Sequence, residues 1–324
     1  MKKLFVAAAC SVTFAGITAA TAQSYPSRPI TMVVPFAAGG PNDTAARILV
    51  DRMSAALGQS VVVENVTGAN GNIGIARVAR AAPDGYTIGV GSYNSHVVNG
   101  AVYNLSYDVL RDFEPVAMLS TSTSIVVGNK KLAANNLIEL IAWLKTNPDK
   151  AMVGMPGAGS SVQVYCAFFQ SLTGTRFQLI PYRGAAPVMQ DLLAGQLDFG
   201  IESAATVLPQ VQAGTVKPYA VTAKRRLPAA PDVPTVDEAG LPGFYTASWY
   251  GTWVPKGTSK EIVGKINAAI VSALADPGAQ ARFVSFGQEV VAREQQTPEA
   301  LGAWHKAEIE KWWPIIKAAG IKIE

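Results

Sequence analysis

The chain has 324 residues, a formal net charge of +4, two histidines and two cysteines. It contains no long basic run, so nucleic acid is excluded as an expected partner, and Lys224-Arg225-Arg226 beside a proline-rich loop reads as a solvated face. Paired-cysteine metal patterns and His-Glu-x-x-His are absent, which leaves no expected metal or cofactor.

The chain opens Met1-Lys2-Lys3, runs through an apolar segment and reaches Ala20-Thr21-Ala22. A basic start, an apolar core and a small-residue cleavage site predict a signal peptide over residues 1–22, removed near Ala22. Ser11, Thr13 and Thr18 break the segment, which makes it a poor membrane span. Cys10 stands too close to the basic start for a lipid anchor. The later apolar runs are too short to span a bilayer, so a soluble, exported protein is expected. It would keep only Cys166, read as a buried structural thiol. Cleavage leaves about 300 residues, more than one ordinary core, and length alone argues for two domains.

Short β-rich runs then alternate with helical patterns, which argues an α/β protein. Strands are predicted at 30–36, 60–64, 86–91, 115–119, 124–128, 152–155, 177–181, 197–201 and 217–222. The first helix shows its apolar face at Ala45, Ile48, Leu49, Met53, Ala56 and Leu57, and Gly58 ends it. Further helices are predicted at 137–146, 162–173, 187–194, 261–275 and 298–319. Trp143, Trp304, Trp312 and Trp313 lie in such amphipathic stretches and are expected to pack in the core.

Two stretches share one grammar: strand, small-residue turn, helix. The first is Val34-Pro35-Phe36-Ala37-Ala38-Gly39-Gly40-Pro41-Asn42-Asp43, and the second centres on Pro156-Gly157-Ala158-Gly159-Ser160-Ser161. In open α/β sheets such turns lie where ligands bind, at the carboxyl ends of strands. A helix start leaves backbone N–H groups without partners and carries a positive partial charge, so glycines there admit an anion without any Arg or Lys. Phosphate and carboxylate both fit that description. The nucleotide readings fail: no lysine follows either turn as a P-loop needs, and Val162 stands where a dinucleotide fingerprint requires its third glycine. If Gly40 is the N-cap and Pro41 the first helical residue, Asp43 stands at N3 and can reach back as a capping acceptor. The alternative is a carboxylate that binds the ligand or a bridging water. Phe36 either flanks the ligand or closes the core.

Catalytic patterns are thin. His305, among Lys306 and Glu308, reads as solvated, and His96 in Gly91-Ser92-Tyr93-Asn94-Ser95-His96 either lines a cleft or is a satisfied structural histidine. Gly-x-Ser-x-Gly is absent, and Ser160 and Ser161 read as helix caps and ligand donors. An exported hydrolase using either serine with His96 is the alternative to a non-enzymatic binding protein.

The chain resembles the Bug-type periplasmic solute-binding proteins of tripartite tricarboxylate transporters, over essentially its whole mature length. The likeness rests on ordered motifs: the first turn, Val62-Val63-Glu64-Asn65, Gly71-Asn72-Ile73-Gly74, Ala82-Pro83-Asp84-Gly85-Tyr86-Thr87, Asp112-Phe113-Glu114-Pro115 and Glu238-Ala239-Gly240-Leu241-Pro242-Gly243. The resemblance implies a two-lobed type II periplasmic binding fold, a Venus flytrap with two lobe crossings, near residues 119–124 and 246–253. Lobe 1 would comprise residues 23–122 and 247–324, and lobe 2 residues 123–246. It implies a monomer that grips a small carboxylate between its lobes and presents it to membrane transporter subunits, or to a membrane sensor. Carried over, the motifs nominate Phe36, Ala38, Gly39, Gly40 and Asp43 in lobe 1, with Gly157, Gly159, Ser160, Ser161, Tyr182 and Gly184 in lobe 2. Departures from the family pattern at Tyr93, Asn94 and Glu202 direct ligand choice to Ser92, Tyr93, Asn94, Ser95, His96, Glu202 and Ser203. A tyrosine on the rim would stack on an aromatic ring and tilts the expected carboxylate towards an aromatic one.

Overall fold

The computed structural model describes residues 25–323, so the predicted signal peptide, Cys10 and the cleavage site lie outside the described residues. The sequence folds into strands β1 (Ile30–Val34), β2 (Val61–Asn65), β3 (Thr87–Ser92), β4 (Phe113–Gly128), β5 (Met152–Met155), β6 (Gln178–Pro181), β7 (Phe199–Ser203), β8 (Lys217–Val221), β9 (Ala247–Pro255) and β10 (Glu289–Val290). The helices are α1 (Pro41–Leu57), α2 (Asn72–Ala79), α3 (Asn99–Val102), α4 (Leu137–Thr146), α5 (Ser161–Thr173), α6 (Ala185–Ala194), α7 (Ala204–Gln212), α8 (Lys260–Leu274), α9 (Pro277–Ser285) and α10 (Pro298–Ala318).

Strand order is β2-β1-β3-β9-β4-β7-β5-β6, with β10 and β8 also paired to β4. Parallel pairing of β1 with β2 and β3, and of β5 with β6 and β7, accounts for the largely apolar sequences of β1 and β5. Two half-sheets are joined through β4. Its first part pairs with β9 as far as Thr123, while Ser124 to Gly128 pair with β7. This is the two-lobed fold expected from the sequence.

The sequence reading broke β4 in two because Ser120-Thr121-Ser122-Thr123 looks like a loop. The strand continues because these hydroxyls are satisfied by tertiary partners. Ser120 Oγ donates to Gln288 Oε1 (2.7 Å), and Ser122 Oγ lies 3.0 Å from both the Gly287 carbonyl and Ser203 Oγ. β9, α2, α7 and α9 were also missed as elements.

α1 was the most legible element. Gly40 is its N-cap, Pro41 its first residue, and Gly58 closes it at φ +68° with its N–H on the Ser54 carbonyl. Cys166 is fully buried, as expected. Trp312 is core, Trp143 and Trp313 are half-buried, and Trp304 is a correction: it stands 37% exposed. His305 is a second correction, because it is buried and its Nε2 lies 2.8 Å from the His96 carbonyl. Charged neighbours in sequence made α10 look solvated there, but His305 faces inward against Trp249 and Trp253.

Candidate functional site

The strand ends of both halves converge on the middle of β4. Ser92, the last residue of β3, pairs with Tyr250, which pairs with Ser120; Ser203, the last residue of β7, pairs with Ser124. Helices α1, α5, α6 and α7 start from the ends of β1, β5, β6 and β7, so four positive helix termini begin along this line.

In the first turn, Ala38 and Gly39 are exposed and Gly40 is half-buried. Gly39 adopts φ +80°, a conformation that glycine takes without a Cβ penalty. Phe36 is half-buried and packs on Gly71, where an added Cβ would come 3.0 Å from its Cζ. Asp43 is buried at N3 and accepts the Gly39 N–H (2.9 Å), Arg47 Nε (2.8 Å) and Asn65 Nδ2 (2.9 Å). Burial opposes its ionisation, but the bonds from Arg47, Gly39 and Asn65 together hold the carboxyl below the usual carboxylate range. The capping geometry expected for Asp43 is present, with one change: it closes on Gly39, not on the N-cap residue. Its lone pairs are spent on the turn, so it acts by positioning. Asn65 also donates to the Phe36 carbonyl (3.0 Å).

The second turn repeats this construction. Gly157 (φ +110°) has open space where a Cβ would stand, and Gly159 lies at φ +70°. Ser160 is the N-cap of α5 and accepts the Gln163 N–H, while Gln163 Oε1, at N3, accepts the Gly159 N–H (2.7 Å). Ser161, the first residue of α5, is half-buried. Asn70 Nδ2 donates to the Gly159 carbonyl (3.2 Å), and its neighbour Gly71 packs on Phe36. The structure therefore brings the two turns to one place. Gly184, at φ +119° with open space around it, is the N-cap of α6. Tyr182 spends its hydroxyl on Asp191 (2.6 Å), a bond that pushes its pKa up to about 12.

The Ser92 to His96 segment departs from expectation. Tyr93 is fully buried, not on a rim: its ring stacks on Tyr165 at 5.6 Å and meets Trp312 edge-on at 5.5 Å. A π-helical turn, Asn94–Val98, winds the chain inward directly after β3, and that turn carries His96 into the core. The His96 ring stacks on Trp253 at 3.8 Å, and its Nδ1 lies 3.0 Å from Ser95 Oγ. Burial, then the neighbouring His305, push its pKa well below the usual histidine value. Ser92 and Ser95 are buried with it, and only Asn94 stays partly open.

Glu202 is also enclosed. Its Oε1 has no hydrogen-bond partner, and burial pushes its pKa up to about 7. Ser203 sits beside it at the N-cap of α7, partly open. Sequence reasoning missed Asn65, Asn70 and Gln163. Gln163 was findable, because it stands four residues after Gly159 as Asp43 does after Gly39.

None of the expected site residues lines a groove of about 1010 Å³ or a smaller one of about 380 Å³ beside α2. Among the described residues there is no cluster of metal-ligating side chains, and no helix is long and apolar enough to cross a membrane.

Comparison with known proteins shows the family. Residues 45–321 match the model of the tripartite tricarboxylate transporter family receptor, TctC. A relative from Agrobacterium vitis, a UPF0065 protein of the TAR-I ttuE-ttuC' intergenic region, is 39% identical across 99% of this chain and 92% of its own length. Among solved structures, the periplasmic binding protein BugD is 39% identical with a TM-score of 0.79, covering 93% of this chain and 100% of its own. MatC from Rhodopseudomonas palustris, with bound malate, is 36% identical at TM-score 0.80, covering 90% of this chain and 100% of its own. R. palustris Rpa4515, with adipate, is 33% identical at TM-score 0.81, covering 92% of this chain and 99% of its own. The chain belongs to the TctC family, the Bug-type periplasmic solute-binding receptors of tripartite tricarboxylate transporters.

Proposed function

We propose that the protein captures a small carboxylate in the periplasm, between lobe 1 (residues 23–122 and 247–324) and lobe 2 (123–246), and delivers it to a tripartite tricarboxylate-type membrane transporter. One observation carries this reading: two glycine turns at helix N-termini, built alike, are held together by the Asn70 bond to the Gly159 carbonyl. Phe36, Ala38, Gly39 and Gly40 would receive one end of the solute. Gly157, Gly159, Ser160, Ser161, Gly184 and Ser203 would receive the other, with Asp43 and Gln163 holding the turns in shape. Closure is a shift between open and closed lobes, driven by a solute that touches both turns.

The argument for an aromatic solute falls with Tyr93, whose ring already stacks inside the core. Malate in MatC and adipate in Rpa4515 favour an aliphatic dicarboxylate. Binding without catalysis is supported by the placement of the serine and histidine candidates named from the sequence. Ser160 caps α5, and the His96 ring is enclosed between Trp253 and its core neighbours.

A thermal-shift screen of aliphatic and aromatic mono-, di- and tricarboxylates, followed by calorimetry, tests the reading. At a hundredfold excess over its dissociation constant the true solute stabilises the protein by about 2.7 kcal/mol. Gly39→Val forces a β-branched residue to φ +80° and should weaken that binding at least a hundredfold while the variant still folds. A sugar or a cation that binds where every carboxylate fails would overturn it.

A further inference from the structure

The groove of about 1010 Å³ lies apart from both turns. Thr121 and Thr123 line it, and they alternate along β4 with Ser122, whose hydroxyl meets Ser203 at the start of α7. By that alternation the groove opens on the sheet face opposite to Ser122. Its size is at the upper end for small-molecule sites, which are commonly apolar clefts with a few placed polar groups.

Charge and shape select the occupant. Five cations line the groove, Lys224, Arg225, Arg226, Arg293 and Lys311, against two acids, Glu289 and Glu308. Arg226 is paired with Glu238, whereas Lys224, Arg225 and Arg293 make no ion pair among the described residues. Glu308 Oε2 is occupied by the indole N–H groups of Trp249 (3.0 Å) and Trp312 (3.2 Å). The groove is therefore short of negative charge.

Its geometry also sets a length. Lys224 stands 5.4 Å over the Tyr245 ring, and Lys311 Nζ reaches the Tyr245 carbonyl, which gathers two ammonium groups around one residue. Trp304 lies seven residues before Lys311 on the same face of α10, about 10 Å along the axis. Its indole is left partly open by core packing, and it lines the groove.

We propose that this groove is a second ligand site, for a flat aromatic anion about 10 Å long. Its ring system would lie on Trp304 and its carboxylate between Lys224, Arg225 and Lys311. The β8–β9 connection supplies one wall, and β10 with α10 supplies the other, so an occupant touches segments on both sides of the lobe crossing.

Biphenyl-4-carboxylate has the required charge, aromatic faces and length. Calorimetry and tryptophan fluorescence should show it binding to the full mature chain, with Trp304→Ala and the pair Lys224→Ala/Arg225→Ala each weakening it at least tenfold. The neutral 4-biphenylmethanol should bind at least tenfold more weakly than the carboxylate, and Gly39→Val should leave the affinity unchanged. Thermal melts establish that each variant is folded, and Trp304→Phe should recover most of the loss if stacking is the contact. No binding at millimolar probe, equal affinity in the alanine variants, or loss in Gly39→Val alone would overturn the proposal. The last result would place the probe in the inter-lobe cleft. Failure of aliphatic carboxylates in the cleft screen leaves these outcomes unaffected.

Discussion

The two glycine turns are built to one plan and charged differently. In each, a glycine with positive φ precedes the N-cap, and the residue at N3 reaches back to accept that glycine's N–H. The first turn uses an ionised carboxylate, Asp43 to Gly39, balanced by Arg47; the second uses a neutral amide, Gln163 to Gly159. A carboxylate in the first turn of a helix offsets the positive helix end that would attract an anion, whereas an amide does not. The second turn thus keeps its full positive helix end, and the first is braced by charge. The acid nearest the α7 terminus follows the same division, since Glu202 is buried without a partner for Oε1 and is half-protonated near neutral pH.

Breaking the two braces separates these roles. Asp43→Ala leaves the Gly39 N–H without its acceptor and removes the bonds from Asn65 and the half-exposed Arg47, and should cost about 3 kcal/mol of stability in chemical denaturation. Gln163→Ala removes one neutral bond and should cost about 1 kcal/mol. Equal losses would show that the charge of the first brace is irrelevant.

The next largest effect is a pH slope. The Glu202 carboxyl rises from its ordinary 4.5 to about 7 in the fold, so the unfolded chain releases this proton first as pH rises. Its contribution is complete below pH about 4.5, falls through the window to about 7 and is gone above it, a change of about 3 kcal/mol. Glu202→Gln should flatten that slope in urea titrations between pH 5 and 8 (a range set by the same linkage). The buried histidine works in the opposite direction. Burial takes His305 down to about 4, so its contribution is present above pH about 6.5 and is lost as pH falls towards 4. A slope unchanged in Glu202→Gln would mean that this carboxyl is ionised in the fold.

The smallest effect sharpens the comparison most directly. Gln163→Glu gives the second turn the charge of the first without an arginine to balance it. Solute affinity should fall about fivefold, and the deficit should shrink as salt is raised. An affinity that holds or improves would assign anion reading to the first turn.

Legibility followed the range of the interactions. Strand β1, the Gly40 and Pro41 start of α1, its Gly58 end and the Ser160 cap were readable because each depends on residues within one or two turns. The long strand β4 was not, because its four hydroxyl residues look like a loop until Gln288, Gly287 and Ser203 arrive from elsewhere in the chain. His305 and Trp304 exchanged their expected roles for a related reason. Both lie on α10, where the stripe that packs is decided by which helix and strand faces meet, and Trp249 and Trp253 select the His305 side.

By itself the sequence determined the α/β alternation, the two glycine turns and, through its ordered motifs, the receptor family. These are local or cumulative signals that survive without knowledge of contacts. Only the tertiary structure decided that Tyr93, His96 and Glu202 belong to the interior. A π-helical turn and the packing of α5 and α10 draw them under the surface, and sequence spacing carries no record of such distant neighbours. Only it, too, set Asn70 against Gly159 and so linked two turns that lie far apart in the chain.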